Sequence, residues 1–135
     1  MTTSAAILAG GRSTRFGGIE KGTLVIEGRS IIERQIAELS TITSDILLVG
    51  GPRAFVPSTG RVVPDRVADC GPLGGLCTAL VESSAEVTIV IACDMPFVSG
   101  ALLRYLGARH PVTTPSSLEP ITGIIRCARR TPAPR

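Results

Sequence analysis

Ala5-Ala6-Ile7-Leu8-Ala9-Gly10-Gly11-Arg12-Ser13-Thr14-Arg15-Phe16-Gly17-Gly18-Ile19-Glu20-Lys21 passes from an apolar stretch straight into a glycine-rich, cationic loop. Ala5 to Ala9 reads as a short strand, apolar on both faces, as expected in a parallel sheet covered by helices on each side. The glycines then let the backbone turn without Cβ clashes and bring N–H groups against an anion, with arginine and lysine supplying charge. Lys21 is the single lysine among 14 basic residues, a compact ammonium where every other cation is a planar guanidinium. In open α/β sheets ligands lie beyond the carboxyl ends of the strands, so a strand emptying into such a loop predicts both the fold and a phosphate site. The loop is not a P-loop, because Lys21 stands between Glu20 and Gly22, and it lacks the dinucleotide G-x-G-x-x-G spacing.

Working outward, Thr23 to Ile26 is a β-branched run closed by Glu27-Gly28. Ser30-Ile31-Ile32-Glu33 forms a capping box ahead of a helix whose apolar stripe is Ile32, Ile36 and Leu39. Asp45 to Val49 is an unbroken apolar run ending at Gly50-Gly51-Pro52, and Arg61-Val62-Val63-Pro64 is another short strand ending at Asp65. Gly71-Pro72 opens a helix with Leu73, Leu76, Cys77, Leu80 and Val81 at helical spacing; proline suits a first turn. Val87 to Ala92 is the most hydrophobic strand and the expected centre of the sheet, ending at Cys93-Asp94-Met95-Pro96. Ser99 caps a helix through Leu106, and Val112 to Thr114 and Ile121 to Ile125 are weaker strands. Strands alternating with helices in this way predict a three-layer α/β/α, Rossmann-like fold with a mostly parallel sheet. Residues 1–128 make one domain, and residues 129–135 read as a disordered, basic, Pro-rich tail.

Composition narrows the function. With 135 residues there is room for one core, and 44% hydrophobic against 3% aromatic residues makes that core aliphatic. A net charge of +3 with almost no base-stacking aromatics argues against nucleic-acid binding and suits a polyanionic small substrate. Cys70, Cys77, Cys93 and Cys127 form no C-x-x-C pair and His110 is alone, so a zinc site is not expected and the cysteines read as small core residues. The start lacks a basic leader and no apolar run nears the roughly 20 residues of a membrane span, so a cytoplasmic, reducing location with no membrane contact is expected.

Three strand ends carry chemistry-bearing residues: the glycine loop, Asp65 ahead of Gly71-Pro72-Leu73-Gly74-Gly75, and Asp94. All three should open on one sheet edge. Nucleotidyl transfer needs donors for phosphates, Mg²⁺ held by one or two carboxylates, and a cavity aligning the attacking and departing oxygens. Asp94, directly after a buried strand and stiffened by Pro96, is well placed to bind Mg²⁺, although an Asp can also simply start a turn. Pro64-Asp65 is equally a plain turn signal, Arg15 fits either a phosphate contact or a solvated side chain, and Glu119-Pro120 reads as a loop.

Leu-Ala-Gly-Gly-x-Ser-x-Arg-Phe-Gly-Gly-x-x-Lys resembles the signature loop of the nucleotidyltransferases that activate molybdopterin, above all the molybdenum cofactor guanylyltransferase family. Gly71-Pro72-Leu73-Gly74-Gly75 and Cys93-Asp94-Met95-Pro96-Phe97 resemble that family's second and third signatures in order, so the resemblance spans Ile7 to about Ile125. It implies a nucleotidyltransferase fold in which Leu8, Ala9, Gly10, Gly11 and Lys21 hold the triphosphate. It also implies that Asp65 and the Gly71-Pro72-Leu73 turn contact the nucleotide and that Asp94 binds Mg²⁺, with Lys21, Arg15 and Asp94 carrying the transfer. Gly10 in the third position of the loop matches the guanine rather than the cytidine enzymes. The implied substrates are GTP and molybdenum-bound molybdopterin, with transient contact to other molybdenum cofactor biosynthesis proteins or acceptor molybdoenzymes.

Two departures stand out. Gly50-Gly51 occupies a place where relatives commonly have asparagine, and the chain stops in Arg126-Cys127-Ala128-Arg129-Arg130 where relatives continue with a further helix and strand. A compact or truncated variant is therefore expected. Competing readings are a molybdopterin cytidylyltransferase, a sugar-phosphate nucleotidyltransferase, or a truncated, non-catalytic nucleotide-binding relative.

Overall fold

The computed structural model describes residues 2–10, 23–51, 59–67, 70–108, 119–121 and 124–128. Their elements run β1 (Thr3–Leu8), β2 (Val25–Ile26), β3 (Arg29–Ser30), α1 (Ile31–Leu39), β4 (Ile46–Val49), β5 (Arg61–Val63), α2 (Gly71–Glu82), β6 (Val87–Ala92), α3 (Gly100–Ala108), β7 (Glu119–Ile121) and β8 (Ile124–Ala128). Six strands form one sheet in the order β5-β4-β1-β6-β8-β7. The first four are parallel; β8 pairs antiparallel with both β6 and β7.

Residue alternation along the strands builds two cores. Ala5, Ile7, Ile46, Leu48, Ile89 and Ile91 face α1 and α3, where Ile32, Ile36, Leu39, Leu103 and Leu106 meet them. Ala6, Leu47, Val49 and Val90 point the other way, onto Leu76 and Ala79 of α2. This is the expected α/β/α sandwich. β1 and β6 are apolar on both sides because both faces of the central strands are covered.

The parallel strands reverse their order of addition at β1: β4 and β5 are laid down on one side and β6 on the other. Beyond the carboxyl ends of β1 and β6 therefore lies the crevice at a topological switch point, where open α/β sheets bind ligands. Asp94, two residues past β6, and Ala9-Gly10, just past β1, flank this crevice.

Most elements follow the sequence reading, including α1 with its complete Ser30–Glu33 capping box. The departures have physical causes. Thr23 to Ile26 supplies only the two-residue β2 of a hairpin with β3, turned by Glu27 and Gly28 at φ 51° and 81°. Ile121 to Ile125 is not one strand but contributes to two antiparallel ones, β7 and β8. Helix α2 buries Gly74, Gly75, Leu76, Thr78 and Ala79, while Leu73 and Val81 are exposed. Small residues face inward because the helix lies so close that a Cβ on Gly74 would stand 2.8 Å from the Val67 carbonyl oxygen and one on Gly75 3.2 Å from Leu8 Cδ2. That rotation also corrects the cysteine expectation: Cys70 and Cys77 are exposed, and Cys93 is only partly buried. Val112 to Thr114 and the 129–135 tail lie outside the described residues.

Candidate active site

Backbone bonds stitch the strand exits together. Past β1, Ala9 N–H and Gly10 N–H both donate to Val49 O of β4, at 2.9 and 3.1 Å, and Gly50 N–H donates to Val63 O of β5 at 2.9 Å. On the other side, Cys93 N–H donates to Leu8 O at 3.3 Å, joining β6 to β1 across the crevice. The amides of Ala9 and Gly10 are thus already used, so any backbone cradle for an anion begins at Gly11. Gly11, Arg15 and Lys21 lie outside the described residues.

Gly10 and Gly50 touch backbone to backbone. A Cβ on Gly10 would be 3.3 Å from Gly50 Cα, and a Cβ on Gly50 would be 2.9 Å from Gly10 Cα. Gly50 also adopts φ +67°, a left-handed conformation that costs a side-chain-bearing residue energy. Gly50 thus has a structural task, which is to let Gly10 lie on the end of β4.

Asp65 follows β5 and is exposed, but its Oδ1 is tied down. It accepts Val67 N–H at 3.2 Å and the Thr78 hydroxyl at 2.9 Å. Thr78 is fully buried on α2; its single hydroxyl proton lies within reach of both Asp65 Oδ1 and Gly74 O, at 2.9 and 3.0 Å, and its Oγ1 accepts Arg66 N–H at 3.0 Å, so one hydroxyl braces the turn that carries the carboxylate. Sequence reading missed Thr78; the signal available was a lone hydroxyl within an apolar helix, which packing alone does not call for.

At the start of α2, Gly71, Pro72 and Leu73 are exposed, and Gly71 has φ +58°. No side chain caps this terminus and its first turn holds no acid. Among the described residues no side chain bonds the N–H groups of this terminus, and its dipole favours an anion.

Asp94 is exposed in the turn after β6, and no described group bonds its carboxylate. The turn itself is held from beneath by Gln35 of α1, whose Nε2 donates to Ala92 O at 2.7 Å and to Met95 O at 3.1 Å. Farther on, Glu38 Oε2 accepts Gly100 N–H at 2.6 Å and Ser99 Oγ accepts Leu102 N–H at 3.3 Å, fixing the start of α3. A cavity of about 460 Å³ lies beside this segment, between Arg29, Arg34, Glu38 and Phe97, and none of the described predicted site residues lines it.

Among the described residues no three metal-ligating side chains cluster. A carboxylate at the crevice bonded by no other described residue fits a magnesium ion, which takes one or two protein carboxylates and completes its shell from phosphates and water. The structure thus gathers Leu8, Ala9, Gly10, Asp65, Gly71, Pro72, Leu73 and Asp94 at the carboxyl edge of the parallel strands.

Comparison with known proteins identifies relatives of this sequence and fold. A family profile described as MobA-like NTP transferase domain matches residues 5–124. A probable molybdenum cofactor guanylyltransferase of Flavobacterium johnsoniae is 36% identical over 109 residues, covering 81% of this chain and 57% of the relative. Another, of Haloferax mediterranei, is 33% identical over 135 residues, covering 95% and 60%. A hypothetical transferase structure from Thermus thermophilus superposes with a TM-score of 0.67 at 28% identity, over 82% of this chain and 48% of that one. The chain spans a little over half the length of the curated relatives it matches. Sequence and fold together show that the chain belongs to the family of MobA-like NTP transferase domains.

Proposed function

We propose that this chain carries the nucleotide-binding and transfer site of a guanylyltransferase that passes GMP from GTP to molybdenum-bound molybdopterin, yielding the guanine dinucleotide form of the cofactor and pyrophosphate. Residues 1–128 act as one nucleotidyltransferase-like domain in this reading. The observation that carries it is the juxtaposition of the β1 and β6 exits at the switch point, with Cys93 N–H bonded to Leu8 O and Asp94 at the crevice, its carboxylate bonded by no other described residue. The names of the curated relatives support the choice of guanine and of molybdopterin.

The chemistry follows from charge and position. A terminal phosphate oxygen of molybdopterin attacks the α-phosphorus of GTP, the bond to the bridging oxygen breaks, and pyrophosphate leaves with that electron pair. Lys21 and Arg15 donate to the phosphate oxygens on which charge accumulates, aided by the Gly11 amide. Leu8, Ala9 and Gly10 form the floor, rigid because their bonds to β4 and β6 are already made. Asp65, locked by Thr78, accepts hydrogen bonds from the nucleoside, while the Gly71-Pro72-Leu73 turn bounds its pocket. Asp94 holds Mg²⁺, which when bound neutralises triphosphate charge and orients its oxygens. Holding both reactants in line converts an encounter into an intramolecular step, so no covalent enzyme intermediate is required.

Gly10 carries less weight on base choice than its place in the loop suggests, because its contact with Gly50 already accounts for the missing side chain. The reading includes action in the cytoplasm and transient contact with other cofactor-synthesis proteins or acceptor molybdoenzymes. Among the described residues no helix is long and apolar enough to cross a membrane.

Pyrophosphate release with Mg²⁺, molybdenum-loaded molybdopterin and either GTP or CTP tests the proposal. Faster release with GTP is expected. Faster release with CTP replaces it with a cytidylyltransferase, and nucleotide binding without release makes the chain a non-catalytic binding protein.

A further inference from the structure

Gln35 is fully buried in the middle of α1, yet it is the one buried side chain among the described residues with an unpartnered polar atom, its Oε1. The orientation of its amide is fixed by its neighbours. Ala92 O and Met95 O can only accept, so Nε2 must face them, and both of its hydrogens are used at 2.7 and 3.1 Å. The oxygen is left buried without a donor. A hydrophobic residue of similar volume would remove that penalty but would leave the Ala92 and Met95 carbonyls without this donor. Packing therefore does not account for glutamine here.

The two carbonyls it grips do. Ala92 is the last residue of β6 and Met95 the first after the turn, so the amide clasps the chain on either side of Cys93-Asp94. The third fixed point is Cys93 N–H on Leu8 O. Helix α1 and strand β1 thus hold the turn from two directions, and the Asp94 carboxylate, bonded to nothing described, is aimed by backbone alone.

We propose that Gln35 is a positioning residue for Asp94: it fixes the turn that presents this carboxylate to the metal–triphosphate complex. The proposal rests on Asp94 as the magnesium carboxylate. Removing the outer partner of a metal ligand typically lowers metal affinity about ten- to a hundredfold, because the ligand samples unproductive directions. Gln35→Met keeps the volume and deletes both donors.

The test measures GTP binding by calorimetry with Mg²⁺ and with EDTA, together with hydrogen exchange at the Cys93–Met95 amides, in wild type, Gln35→Met, Asp94→Asn and the double variant. The expected result for Gln35→Met is unchanged binding in EDTA, a metal-dependent gain in affinity reduced about tenfold, and faster exchange at the turn. In the Asp94→Asn background the same substitution should have no further effect on that gain, since the two act as one unit. A full metal-dependent gain in Gln35→Met, with the gain lost in Asp94→Asn, overturns the positioning role and leaves the active-site reading standing. A full gain in Asp94→Asn overturns both. Should Gln35→Met fail to unfold cooperatively, Gln35→Asn, which retains a donor too short to span both carbonyls, takes its place; loss of the fold in both variants makes Gln35 purely structural and overturns the proposal.

Discussion

Gly10 and Gly50 pack Cα against Cα at the ends of β1 and β4, with 2.9 Å between Gly10 Cα and the place a Gly50 Cβ would occupy. The contact joins the first loop to the neighbouring strand and forbids a side chain on Gly50. Gly50→Ala should lower stability by about 1–3 kcal/mol, from left-handed strain together with displacement of the loop. Gly10→Ala, at 3.3 Å from Gly50 Cα, should cost less and should narrow the GTP-over-CTP preference by shifting the same loop. Urea denaturation midpoints decide the first point; a Gly50→Ala midpoint equal to wild type would show that the loop yields freely.

Lys21→Ala should leave the fold intact and weaken GTP binding roughly ten- to a hundredfold, the cost of one charge-assisted phosphate contact of about 1.5–3 kcal/mol. Lys21→Arg should restore only part of it, because a planar fork fills a different volume. Unchanged affinity in calorimetry for the alanine variant removes Lys21 from the site.

Asp94→Asn preserves size and should preserve folding, while the rate of pyrophosphate release falls and its Mg²⁺ dependence moves to higher concentration. Removal of the metal with EDTA should bring wild type down toward the variant. Wild-type magnesium titration in Asp94→Asn would place the metal elsewhere.

Thr78→Val deletes the hydroxyl that holds Asp65 Oδ1 at 2.9 Å while keeping side-chain shape. It should raise the KM for GTP several-fold with little change in kcat, and destabilise by about 1–2 kcal/mol, because Arg66 N–H also loses its acceptor. Thr78→Ser, which keeps the oxygen, should recover most of the KM. A rise in KM equal in both variants would separate Asp65 from nucleotide binding.

Acid stability should respond to the cap of α1. The Glu33 carboxyl is held below its ordinary value chiefly by the Ser30 backbone N–H, then by the Ser30 hydroxyl. A carboxylate whose folded pKa lies below its unfolded one stabilises the native state above the unfolded value, and the contribution is lost as pH falls through the folded one. Glu33→Gln should therefore lower the urea midpoint at neutral pH and flatten the decline of stability below the ordinary carboxylate range. An acid limb as steep as that of wild type would assign it to other groups, such as Glu82, whose carboxyl Arg66 holds low.

Much of this architecture is written locally. The capping box of Ser30 and Glu33, the double-faced apolar runs of β1, β4 and β6, and the proline in the first turn of α2 act within a few residues, where propensity and periodicity are decisive. The placement of Gly10, Asp65 and Asp94 after strands announced that they would share one edge, because in a parallel sheet every strand must discharge its loop at the same edge. What lies between distant segments was not legible. The face that α2 turns inward depends on how closely it lies over Leu8 and Val67, the exposure of Cys77 follows from that rotation, and the hairpin built by β2 and β3 depends on positive φ at Glu27. Thr78 under Asp65 and Gln35 under the Cys93-Asp94 turn are polar residues on the buried faces of their helices, 13 residues from Asp65 and 57 from Ala92, the groups they bond. Sequence determined which elements form and at which strand ends the candidate residues stand. Only tertiary packing decided which buried donors hold the turns that carry them, since a hydrogen bond between remote segments leaves no periodic trace in either one.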